Sequence, residues 1–114
     1  MAIHHAKSKL GVFINAHEAL KADGVFIFSD HMAGSHQKVD GLIERERARV
    51  RLGEVSDLEK VLEFIRQDRA SQASEGNACE SVAAYFDYLT EAGFRGVDCG
   101  WRDYWIAVFV AFKA

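Results

Sequence analysis

The residues of this chain that could carry chemistry are few: five histidines, two cysteines and some loop acids. His4 and His5 are adjacent near the N-terminus, and Asp30 and His31 are adjacent just past a run of β-formers. Open α/β sheets bind ligands beyond the carboxyl ends of their strands, where Asp30 and His31 fall. A loop acid and a loop histidine are also ordinary solvated residues, so both readings stand for this pair. His4 and His5 read as exposed terminal histidines, with a ligand-facing place as the alternative. These four residues are the candidate ligand-binding set. The histidines at 4, 5, 31 and 36 match no zinc spacing, so no metal site is expected. Cys79 and Cys99 lack a CxxC partner and read as buried thiols. Ser29 has no nucleophile elbow around it, and no residue is assigned as catalytic. Trp101, Tyr104 and Trp105 read as hairpin packing in preference to a ring-stacking platform.

The elements that must position these residues are legible in outline. Ser8–Lys21 reads as a helix, with Val12, Phe13, Ala16 and Leu20 on one stripe. Asp23-Gly24 is a turn in which Gly24 is expected to take the positive φ. Val25–Phe28 is a run of β-formers without polar alternation, the pattern of a strand covered on both faces. Ser29–Gln37 reads as a loop. Val39–Leu52 reads as a helix anchored by Leu42, Ile43 and Val50, with the charges of ERERARVR as a solvated face and Gly53 as its end. Ser56-Asp57 can cap a helix over Leu58–Arg69, whose inner face would carry Val61, Leu62 and Ile65. Ser71–Asn77 is small and polar, a loop, and Asn77 with Glu80 has capping-box spacing. The helix that follows places Val82, Phe86 and Leu89 on one side and ends at Gly93. Phe94–Trp101 and Tyr104–Lys113 read as two strands joined tightly at Arg102-Asp103. The last strand is apolar on both faces. Its inward set is either Ile106, Val108 and Val110 or Trp105, Ala107 and Phe109, depending on register.

At 114 residues the chain fits a single domain. A hydrophobic fraction of 49% is ordinary for a globular protein. A formal charge of −3 and a pI near 5.9 leave no basic footprint, so nucleic acid is not an expected partner. Two cysteines are too few for a disulfide framework and fit a reducing compartment. The longest apolar run, Trp105–Phe112, is far short of the ~20 residues of a membrane span, and the N-terminus has no signal-peptide core. By elimination the expectation is a cytoplasmic protein with no membrane partner.

A family resemblance rests on three stretches taken together. Leu20–Asp30 reads LKADGVFIFSD, similar to the LKPGG-type turn and following strand of class I S-adenosylmethionine-dependent methyltransferases. Ala22 and Asp23 stand where that family has proline and a first glycine. Ala2-Ile3-His4-His5 resembles the histidine-containing segment after the family's fourth strand. Glu91-Ala92-Gly93-Phe94 and the stretch to Lys113, including Trp101, resemble the family's closing helix and hairpin. The charged middle falls where the family carries a variable insertion. The chain therefore resembles the C-terminal half of such a methyltransferase.

That resemblance implies an α/β, partial Rossmann-like fold over residues 1–114. It implies about four helices and a small mixed three-stranded sheet ending in an antiparallel hairpin. The strand order would be Val25–Phe28, then Tyr104–Lys113, then Phe94–Trp101. The family's glycine-rich loop and ribose-binding acid belong to its first half, and this sequence has no glycine triplet of that type. No cofactor is therefore expected for the isolated chain. The expectation is a homodimeric binding or interaction protein without independent catalysis. The alternative is a subunit of a split S-adenosylmethionine-dependent methyltransferase, completed by a complementary half and acting on a small molecule.

Overall fold

A computed structural model describes residues 3–53, 57–74 and 79–113. A 3-10 turn at Ile3–His5 precedes α1 (Lys9–Ala19), β1 (Val25–His31), α2 (Gln37–Leu52), α3 (Leu58–Ser74), α4 (Val82–Glu91), β2 (Arg95–Asp103) and β3 (Ile106–Phe112). The sheet order is β1-β3-β2. This is the strand order expected from the sequence. Both ladders are antiparallel, because β1 and β2 run the same way but each touches only β3. The sheet is thus antiparallel and not mixed.

The ends of α1 show how local and distant groups share one task. Ser8 starts the helix, its hydroxyl accepting from the Gly11 N–H at 3.0 Å. At the other end the Lys113 ammonium donates to the carbonyls of His17 and Leu20 at 2.7 and 2.8 Å. A cation from the far end of the chain thus satisfies carbonyls the helix leaves open. In the turn that follows, Asp23 and not Gly24 takes the left-handed conformation, with φ 61°. Glycine is needed at 24 for closeness: a Cβ there would lie 2.8 Å from the Lys21 carbonyl oxygen.

β1 continues three residues past its apolar run. Ser29, Asp30 and His31 pair with Val108, Ala107 and Ile106, so they are strand residues and not a loop. Nor is β1 covered on both faces. Phe26, Phe28 and Asp30 turn to the core, while Val25 and Ile27 are 42% and 63% exposed. At the hairpin, Arg102 and Asp103 remain in β2, and Tyr104-Trp105 make the connection with Tyr104 at φ 48°.

Register on β3 settles which of its faces is inside. Ala107, Phe109 and Ala111 are fully buried, while Ile106, Val108 and Val110 are half-buried on the other side. Phe109 stacks on Phe28 with ring centroids 5.0 Å apart and meets Tyr85 of α4 at 5.4 Å. Phe13 of α1, Leu89 of α4 and Phe94 complete this cluster. Alternating alanine and phenylalanine leaves room for the rings of both helices. Ser81 caps α4 by accepting from the Ala84 N–H at 3.2 Å. Of the other expected caps, Asp57 accepts from the Glu59 N–H at 3.0 Å at the start of α3, while Ser56 and Asn77 lie outside the described residues.

α2 and α3 pack against each other as a hairpin, in a molecule measuring 54 × 26 × 21 Å. Helix α3 runs on through Ser71 to Ser74, where a loop was expected. Of the expected apolar anchors of α2, Ile43 is buried as expected, but others are not. Leu42, Val50 and Leu62 are more than half exposed, whereas Ile43 and Ala48 are the buried residues of α2. Charged pairs described below join the helices instead. No described helix is long and apolar enough to cross a membrane.

Candidate functional site

Asp30 is the centre of a buried polar network. Its alternation in β1 turns the carboxylate inward, and only 5% of the residue is exposed. Oδ1 accepts from His4 Nδ1 at 2.5 Å and from the His31 N–H at 2.9 Å, and Oδ2 accepts from the Tyr85 hydroxyl at 2.6 Å. A buried carboxylate needs such donors to offset its lost hydration. Burial first, and the bond to Asp30 second, push the Tyr85 phenol well above its ordinary value. Tyr85 therefore stays protonated and acts as a donor.

His4 is not an exposed terminal histidine. The 3-10 turn lays it against β1, where it is 5% exposed and stacks on His31 with centroids 5.0 Å apart and planes 8° from parallel. The backbone of His5 completes the same turn. Of the four candidate residues, then, three meet at one end of β1. Asp30 is occupied in holding the fold, and His31 lines a cleft.

Beside this network lies an ion pair between a buried and a half-buried group. The Lys9 ammonium, also largely buried, sits 3.2 Å from Glu80 Oε2, and the Tyr88 hydroxyl donates to Glu80 Oε1 at 2.8 Å. That bond is the main cause of the raised Tyr88 phenol. Cys79 is half-buried between the two networks. Burial, then the nearby Asp30 carboxylate, raises its thiol. A thiol held protonated is a poor nucleophile. Cys99, half-buried in β2, donates to the Trp101 carbonyl at 3.3 Å.

A cleft of about 580 Å³ opens between this end of the sheet and the helical hairpin. His31, Met32, Ile43, Arg47, Cys79 and Trp105 are among its walls. Arg47 reaches from α2 so that its guanidinium lies 5.3 Å from the Trp105 ring centroid, a cation–π contact. The same guanidinium donates to both oxygens of Asp68 on α3, at 2.9 and 2.8 Å. This two-point bond holds the Asp68 carboxyl below the usual carboxylate range and raises Arg47. One step along the hairpin Arg69 pairs with Glu44. Arg47 and Arg69 are thus matched by Asp68 and Glu44, the Asp40 carboxylate accepts from the Gly34 N–H at 2.7 Å, and Met32, Ile43 and Trp105 offer apolar wall. Such a lining can hold a small, largely uncharged molecule. Among the described residues no group of three or more His, Cys, Asp or Glu side chains gathers as a metal site.

Arg47 and Asp68 were not singled out in the sequence, where ERERARVR read as a solvated face. A signal was present nonetheless. Glu44 and Arg47 on α2 meet Arg69 and Asp68 on α3 in reversed order, the charge pattern that an antiparallel hairpin would match.

The opposite face of the sheet offers a different kind of surface. Val25, Ile27, Trp101 and Phe112 are exposed there, with half-buried Val108 and Val110 between them. Arg95, Asp98 and Asp103 lie along the β2 side. An apolar centre with a charged rim is the anatomy of a protein-binding patch.

Neither a protein-family model nor a curated protein matches this chain.

Proposed function

We propose that this chain is a methyltransferase-like interaction module that works as a homodimer and has no independent catalysis. The observation that carries this reading is the sheet itself: one face is filled by α1 and α4, and the other exposes Val25, Ile27, Trp101 and Phe112 beside an edge strand. Exposed apolar surface of that kind is stabilised by covering it with protein. The β1-β3-β2 order supports descent from the C-terminal half of a class I methyltransferase, whose last strand lies antiparallel between two others. In that reading no cofactor binds to this chain alone, and the compartment is the cytoplasm.

A second reading is a subunit of a split S-adenosylmethionine-dependent methyltransferase. The cleft beside His31 favours it, because its volume suits a small acceptor molecule. Light scattering and calorimetry with S-adenosylmethionine test the first reading. The first reading expects twice the monomer mass at micromolar concentration and no binding tighter than ~1 μM, about −8 kcal/mol. A monomer, or tight binding by the chain alone, overturns it.

A further inference from the structure

The two edges of the sheet are not alike. The outer strand β2 carries Arg95, Asp98, Arg102 and Asp103 and two register irregularities, at Arg95/Asp98 and Cys99/Trp101. Charges and bulges of that kind disfavour pairing with another strand. The outer strand β1 pairs with β3 in unbroken register from Val25 to His31, with neither lysine nor proline.

The direction of its backbone groups follows from the bonds at its two ends. Gly24 O accepts from the Lys113 N–H at 2.8 Å, and the Met32 N–H donates to Trp105 O at 2.7 Å. The even-numbered residues therefore face β3, and strand alternation sends the N–H and C=O groups of Val25, Ile27, Ser29 and His31 outward. The His4 ring, stacked on His31 and bonded to Asp30, occupies the edge at its carboxyl end. Among the described residues the open stretch is 25–29, and Ile27 is its midpoint.

We infer that two copies of this chain join β1 to β1 in antiparallel fashion, with the two-fold axis at Ile27. This rests on the homodimer reading and gives it a geometry. Val25 pairs with Ser29 of the second copy, and Ile27 with Ile27. No like charges oppose each other within that ladder, and beyond its ends the exposed Asp23 of one copy approaches the exposed His31 of the other. The result is a continuous six-stranded sheet in which Ile27, 63% exposed in one chain, packs on its mate. A strand free over just the stretch that is symmetric about one residue is complementary to itself.

Disulfide trapping in the full-length chain tests the register. Antiparallel hydrogen-bonded pairs place Cα atoms about 5.5 Å apart, within disulfide reach. With Cys79 and Cys99 replaced by serine, Ile27→Cys should give a covalent dimer on mild oxidation, and Asp98→Cys on the β2 side should not. Ile27→Lys places two cations face to face and should weaken dimerisation at least tenfold while leaving the circular dichroism unchanged. A dimer in which Ile27→Cys fails to cross-link and Ile27→Lys has no effect overturns this register but leaves the homodimer reading intact. A monomeric parent chain overturns both.

Discussion

Asp30 spends its hydrogen-bonding capacity on structure. Three donors converge on it, from the N-terminal turn, the backbone of β1 and α4, so one carboxylate ties three parts of the chain. Asp30→Ala leaves the His4 imidazole and the Tyr85 hydroxyl buried without their acceptor, and should cost roughly 3 kcal/mol in urea unfolding. Tyr85→Phe removes one donor and keeps the ring, and should cost about 1 kcal/mol. If the two cost the same, the carboxylate is not the hub. At Asp68 the matter is titration. Its folded-state value is depressed by Arg47, so the pair contributes stability above the unfolded carboxyl value near 4 and loses it as pH falls further. Asp68→Asn should therefore flatten the acid limb of the stability curve, as read by melting temperature between pH 3 and 6.

At the scale of elements, β3 shows best what alternation can and cannot say. Its sequence IAVFVAF is apolar at every position, so either set of side chains can face inward. Phe109, flanked by two buried alanines, is the residue the helices close over. Phe109→Ala should cost about 3–5 kcal/mol, while Val108→Ala on the open face should cost under half as much, both by denaturant unfolding. Equal losses would mean that the open face is covered even in the monomer. α1 carries the complementary lesson. Ser8, where the helical pattern begins, caps the helix from within the same few residues, whereas Lys113 caps the other end from 93 residues away.

At the scale of the whole molecule, the elongated outline comes from a helical hairpin held to the sheet at few points, one of them Arg47 on Trp105. The hairpin forms one wall of the cleft, so its attachment and the shape of the cleft are one matter. The sheet, packed on one side, gives the molecule its second surface. An edge without lysine or proline is what the β1 strand of a second copy can cover, and the apolar face beside it would then run on across the joined sheets.

By itself the sequence determined which helices and strands form and in what order, though not where β1 and α3 end, because hydrophobic spacing, caps and glycines act over a few residues. Ser8 at the start of α1, Gly93 at the end of α4 and the apolar runs of β1 and β3 are of this kind. It also carried the strand order, through the resemblance of LKADGVFIFSD and EAGF to a known family. Tertiary structure decided what those elements face. The burial of His4, the membership of Asp30 in a strand and the open side of Val25 and Ile27 depend on partners 26 to 87 positions away, such as Asp30 for His4 and Phe112 for Val25. Local propensity is blind to partners at that separation, since nothing in the spacing of neighbouring residues records which distant group will satisfy a carboxylate or leave a strand face uncovered.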